Sequence, residues 1–118
     1  MRPMPLVNIY TSAAPPAPEA ADALLKSVSS SVAALIGKPE RYVMVSVEHN
    51  PAMQFAGTDA PLAYLELKSI GLPESATADA SRALCELVAG ETGVDPERIY
   101  IEFSDASRKM WGWNSGTF

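Results

Sequence analysis

The sequence predicts an α/β (α+β) fold: one β–α–β unit used twice, giving a four-stranded sheet with two helices on one face. Three observations carry that expectation. Gly37-Lys38-Pro39-Glu40-Arg41 leads into Tyr42-Val43-Met44-Val45-Ser46-Val47, and Gly93-Val94-Asp95-Pro96-Glu97-Arg98 leads into Ile99-Tyr100-Ile101-Glu102-Phe103. Upstream, Pro5-Leu6-Val7 opens the first half and Pro61-Leu62-Ala63 opens the second at closely matched spacing. Between each opening and its echo lies a stretch with helical periodicity. A unit repeated at fixed spacing marks a duplicated supersecondary element. The expected organisation is a single domain over 1–118, with pseudo-repeats at about 5–49 and 61–105. Residues 1–4 stand ahead of them as a leader or a misplaced start.

The elements follow in order. Leu6–Thr11 is rich in Val, Ile and Tyr, which suits a strand. Three prolines within 13–18 end it, and Pro18 fits the first turn of a helix whose Glu19 and Asp22 sit at the positive end of the dipole. Leu24, Val28, Val32, Leu35 and Ile36 recur at three- and four-residue spacing, making one helix face apolar. Gly37 is placed as a left-handed cap, and Pro39 prevents continuation. The run 42–47 is apolar at nearly every position, the pattern of a strand buried on both faces.

Asn50-Pro51 and Gly57-Thr58-Asp59 make 49–59 a turn-rich connection. A strand over 63–67 follows, then a linker in which Ser75 or Thr77 can cap the next helix. Ala80, Ala83, Leu84, Leu87 and Val88 form that helix's apolar face, and Gly93 closes it. The fourth strand is 99–103. The aromatic, glycine-rich tail 111–118 reads as a short edge strand or turn.

Strands joined through a helix run parallel with a right-handed crossover. Two such units share one sheet and leave its second face without helices. That face is expected to be apolar and covered by other copies of the chain. At 118 residues and 47% hydrophobic content the chain can build a core, and a domain this small gains from oligomerisation.

The net charge of −5, with nine scattered Lys and Arg, argues against nucleic acid as a partner. No apolar run approaches the ~20 residues of a membrane helix, and no signal peptide opens the chain. A cytoplasmic protein is expected, with secretion without a signal peptide as the alternative. Cys85 has no partner for an internal disulfide and is expected as a buried helix residue.

Several chemistries are excluded. The seven glycines are dispersed and match no phosphate-binding loop. One histidine and one cysteine cannot make a His/Cys metal cluster, and no cofactor is expected. A Ser–His–Asp triad would need His49, which reads as a surface turn residue. Pro5 is different. Were Met4 the start and then removed, Pro5 would carry a free secondary amine. An α-amino group titrates near ~7.7–8.0, and apolar surroundings disfavour its charged form. Such an amine is a competent general base at neutral pH. Taken alone, Lys38 reads as a helix C-terminal lysine facing the dipole, and Tyr100 and Trp113 as core or interface aromatics.

Five blocks in register change that balance. Met4-Pro5-Leu6-Val7-Asn8-Ile9, Gly37-Lys38-Pro39, Lys68-Ser69-Ile70-Gly71, Pro96-Glu97-Arg98-Ile99-Tyr100-Ile101 and Gly112-Trp113-Asn114-Ser115-Gly116-Thr117-Phe118 together resemble the macrophage migration inhibitory factor (MIF) family of the tautomerase superfamily. The resemblance runs from Met4 to Phe118. It implies a homotrimer of the duplicated β–α–β fold and keto–enol tautomerisation of aromatic α-keto acids such as phenylpyruvate, and of dopachrome.

By the same resemblance Pro5 is the base and Lys38 meets the substrate carboxylate. The backbone at Ile70 lines the site, Tyr100 arrives from the neighbouring subunit, and Trp113 and Phe118 stand near an apolar wall. Glu102 occupies a site position that holds asparagine in the animal proteins, which bears on substrate preference. Leu62 and Leu65 replace the family's Cys-x-x-Cys, so its thiol–disulfide activity is not expected. Trp111 stands where a smaller apolar residue is usual. With Met4 still attached, the Pro5 nitrogen is an amide without a basic lone pair. Two readings therefore stand: a tautomerase with exposed Pro5, or a non-catalytic, cytokine-like interaction protein with a protein receptor on the same trimeric scaffold.

Overall fold

A computed structural model describes residues 5–14 and 17–118. Residues 1–4, expected as a leader or a misplaced start, and Pro15-Pro16, two of the three prolines expected to end the first strand, lie outside the described residues. Strand β1 (Leu6–Thr11) is followed by helix α1 (Pro18–Ile36) and strand β2 (Met44–His49). Strand β3 (Ala63–Ile70), helix α2 (Thr77–Thr92) and strand β4 (Ile99–Ala106) repeat the pattern. A small hairpin, β5 (Gly112–Trp113) and β6 (Gly116–Thr117), closes the chain.

The sheet order is β2-β1-β3-β4. Each repeat contributes a parallel pair, and β1 meets β3 antiparallel at the centre. The two units are thus joined through their first strands. The expected mixed α+β fold, with one four-stranded sheet and two helices, is what the chain adopts.

Alternation explains the layers. Val7, Ile9, Leu65 and Leu67 turn to one sheet face and are fully buried with Leu24, Val28 and Val32 of α1 and Leu84 and Val88 of α2. Each of these side chains contributes roughly 1.5–3 kcal/mol through burial. Gly37 and Gly93 cap the helices at φ 69° and 78°, a conformation that favours glycine.

Several expectations are corrected. The helix-free face is polar: Asn8, Ser46, Glu66, Lys68 and Glu102 share it with Tyr10, Tyr64 and Tyr100. Asn8 Nδ2 donates to Glu66 at 3.3 Å, and Ser46 Oγ donates to Asn8 Oδ1 at 2.8 Å. The second strand starts at Met44, Tyr42 belonging to the 3-10 turn Glu40–Tyr42. It is a half-exposed edge strand, because only one flank is paired and its outward residues meet solvent.

His49 ends β2 instead of lying in a turn. Ser75 sits in the 3-10 turn Glu74–Ala76, and Thr77 donates to the Glu74 carbonyl at 2.8 Å, so neither caps α2. Cys85 is only partly buried, and that burial still pushes its thiol pKa up against a lowering hydrogen bond from Ser81. Among the described residues no helix is long and apolar enough to cross a membrane, and no His/Cys/Asp/Glu group could hold a metal.

Candidate functional site

Three chain segments meet where β1 begins. Pro5 is buried just ahead of β1, where a missing N–H costs no ladder bond. Its carbonyl accepts from the Met44 N–H at 3.0 Å. Leu6 then pairs with Met44 on one side and Lys68 on the other, so the starts of β1 and β2 and the end of β3 coincide. Lys38 follows the left-handed Gly37 cap, its N–H donating to the Ala33 carbonyl at 2.9 Å. From there Pro39 and the 3-10 turn lead directly into β2. Lys38 is half-buried and makes no ion pair among the described residues.

Ile70 ends β3 at the same edge and is 2% exposed. The turn after it passes through Gly71 at φ 70° and is fastened by Asp105, whose Oδ1 accepts from the Gly71 and Leu72 N–H groups at 2.8 and 3.1 Å. Asp105 was not singled out by the sequence; only the β3–β4 register brings it there. A groove of about 710 Å³ runs past Ile70, Asp105, Arg108 and Lys109.

The C-terminal hairpin turns through Asn114 and Ser115 at φ 50° and 65°, the left-handed pair of a two-residue turn. That turn lays Phe118 on Trp113, with ring centroids 5.5 Å apart and 14° between planes. Tyr42 meets the same indole edge-on at 5.9 Å and carries the Arg41 guanidinium 4.8 Å over its own ring. Tyr42 ties the aromatic hairpin to the start of β2. Its place at the head of an apparent strand hid it from sequence reasoning, and only the contact with Trp113 reveals it.

Tyr100 and Glu102 lie elsewhere. Tyr100 pairs with Tyr64 near the opposite end of the β3–β4 ladder, 65% exposed, with Phe55 edge-on at 4.8 Å. Glu102 stands mid-ladder on the helix-free face, paired with Glu66, which in turn pairs with Asn8, well inside β1 from Pro5. The Tyr64 hydroxyl donates to Glu102 Oε1 at 3.0 Å and lies 3.3 Å from Glu66. Desolvation, then the hydrogen bond to Glu102 and the charge of Glu66, push the Tyr64 phenol up to about 12. Within one chain, then, Pro5, Lys38, Ile70, Trp113 and Phe118 belong to one end of the sheet, while Tyr100 and Glu102 do not. A separate apolar cavity of about 190 Å³, lined by Thr11, Leu24, Val47 and His49, holds none of these residues.

The family model described as macrophage migration inhibitory factor (MIF) matches residues 4–118. A macrophage migration inhibitory factor homolog of Brugia malayi is 38% identical over 117 residues, 98% of this chain and 99% of that protein. The solved structure of a homologue from Prochlorococcus marinus superposes with a TM-score of 0.89 at 42% identity, over 96% of this chain and 98% of the other. A protein described as a fused 4-OT wild-type symmetric trimer superposes at 0.84 with 25% identity, over 94% and 93% of the two chains.

Proposed function

The chain belongs to the macrophage migration inhibitory factor family, and on that footing we propose that it is a keto–enol tautomerase of aromatic α-keto acids, phenylpyruvate-like or dopachrome-like, working as a homotrimer. The observation that carries the proposal is the meeting of Pro5, Lys38, Ile70 and the Tyr42–Trp113–Phe118 aromatics at one end of the sheet.

In the proposed reaction the free secondary amine of Pro5 takes a proton from the carbon beside the ketone, becoming an ammonium as the enolate forms. The proton is then delivered to the enolate oxygen, which gives the enol and restores the amine. Burial at Pro5 favours the neutral, basic amine. Lys38 holds the substrate carboxylate, a charge-assisted contact for which its ammonium, without an ion pair among the described residues, is suited. The backbone at Ile70 and the stacked Trp113 and Phe118 form the wall against the substrate ring.

Tyr100 and Glu102 reach the pocket from a neighbouring copy. Their distance from Pro5 within the chain supports that assignment, and the likeness to a protein described as a symmetric trimer supports the assembly. The family match opens at residue 4, directly before Pro5, which supports Pro5 as the reactive terminus.

The test is a phenylpyruvate tautomerase assay on protein beginning at Pro5. Activity that Pro5→Gly abolishes supports the mechanism; an unchanged rate in Pro5→Gly refutes it. A second reading has its own observation: with Met4 attached, the Pro5 nitrogen is an amide. In that form the trimer is an interaction protein without tautomerase activity. Intact mass of the protein from its native source separates the two, since a mass retaining residues 1–4 favours the interaction role.

A further inference from the structure

Among the described residues, every hydrogen bond of Arg98 goes to a backbone carbonyl. Its Nε donates to the Pro61 carbonyl at 3.1 Å, and its Nη2 reaches the carbonyls of Phe55, Thr58 and Ala60 at 3.1, 3.2 and 3.0 Å. The guanidinium also lies 5.2 Å over the Phe55 ring. No carboxylate pairs with it among the described residues.

The segment it gathers is held against its own preference. Phe55 and Thr58 exchange backbone hydrogen bonds across Ala56 and Gly57, and Ala56 has φ 55°. A left-handed alanine persists only where the surroundings impose it. Phe55 then presents its ring edge-on to Tyr100, two residues after Arg98 on the strand. A groove of about 570 Å³ between loop and strand is lined by Met53, Phe55, Leu62, Tyr64 and Tyr100.

We propose that Arg98 is a positioning residue: by clamping the 55–61 loop it makes Phe55 set the ring of Tyr100 for entry into a neighbouring copy's pocket. The inference rests on the reading that Tyr100 serves that pocket. Arg98 touches no substrate and acts through Phe55. A planar guanidinium with a fixed fork of donors can bind several carbonyls at once, and a lysine ammonium cannot hold the same geometry.

The experiment combines kinetics with a probe that needs no substrate. Protein beginning at Pro5 is labelled with 3-fluorotyrosine, and the Tyr100 fluorine line is assigned from Tyr100→Phe. Arg98→Lys and Phe55→Leu are the variants, with oligomeric state checked by light scattering. The expected result is a displaced Tyr100 line with the Tyr10 line unmoved, and KM for phenylpyruvate raised about tenfold while kcat holds within about twofold. An unmoved Tyr100 line in folded Arg98→Lys and Phe55→Leu overturns the proposal. So does a displaced line with unchanged KM. An inactive parent protein would instead defeat the tautomerase reading, and the fluorine line would still decide whether the clamp exists.

Discussion

Tyr100 and Ile70 stand at opposite ends of one ladder: Tyr100 pairs with Tyr64 and Ile70 with Ala106, about 20 Å apart along the strands at ~3.3 Å per residue. No rotamer of Tyr100 spans that gap. A pocket using both residues needs two chains. Mixing two disabled chains tests this. Pro5→Gly and Tyr100→Ala proteins, both beginning at residue 5, are unfolded together and refolded at equal amounts. About a quarter of full activity should return, the share of sites in which random assembly unites an intact proline with an intact tyrosine. No recovery would mean that both residues act within one chain.

Lys38 offers a second test, because its charge has no partner among the described residues. Removing it leaves no orphaned carboxylate, so Lys38→Ala should change stability by less than about 0.5 kcal/mol. Its effect falls on binding. A hydrogen bond to a charged group contributes about 1.5–3 kcal/mol, so KM for phenylpyruvate should rise roughly 10- to 100-fold. The methyl ester of the same acid should show no such loss. Equal losses on acid and ester would remove Lys38 as the anion anchor.

How much could be read beforehand depended on whether the signal was local. The apolar stripe of Leu24, Val28 and Val32 and the caps at Gly37 and Gly93 are local, and the helices lie where those residues imply. The alternation Tyr64, Glu66, Lys68 already marked a polar outer face for β3, but the nearly continuous apolar run at 42–47, interrupted only by Ser46, masked it. That run is apolar for two reasons that sequence cannot separate. Tyr42 and Val43 belong to a turn and its exit; Val43, Val45 and Val47 pack on the core, whereas Tyr42 packs on Trp113. In the candidate site, the five blocks nominated Pro5, Lys38, Ile70, Tyr100, Trp113 and Phe118, and the departure just after the fourth block nominated Glu102. Tyr42, Phe55, Arg98 and Asp105 were missed because their roles come from partners far away in sequence.

Two glycines three positions apart should respond in opposite directions. Gly90 lies inside α2, and a Cβ there meets nothing within 4 Å. Gly90→Ala should stabilise the fold by about 0.5–1 kcal/mol, since it removes only glycine's excess backbone freedom. Gly93 has equal space around it but a φ of 78°, and its N–H donates to the Ala89 carbonyl at 2.9 Å. Gly93→Ala should cost about 1–2 kcal/mol in strain alone. Denaturant midpoints at unchanged slope measure both. Two shifts of the same sign would contradict the assigned backbone.

The helix-free face makes its own prediction through Tyr64. Desolvation raises this phenol first, and the hydrogen bond to Glu102 and the charge of Glu66 add to it, bringing it to about 12 from an ordinary 10.0. The folded state therefore holds the neutral phenol more strongly than the unfolded chain does. That contribution is fully present below pH 10 and is lost as the pH rises through about 12, because the unfolded chain ionises first. In a phenolate absorbance titration, one of the four tyrosines should titrate last, near 12, and Tyr64→Phe should remove that step. Glu102→Gln keeps an acceptor but deletes a charge, so the step should move to lower pH. If Glu102→Gln leaves the step in place, the carboxylate is not held by Tyr64, and Glu102 is free to turn elsewhere from this face.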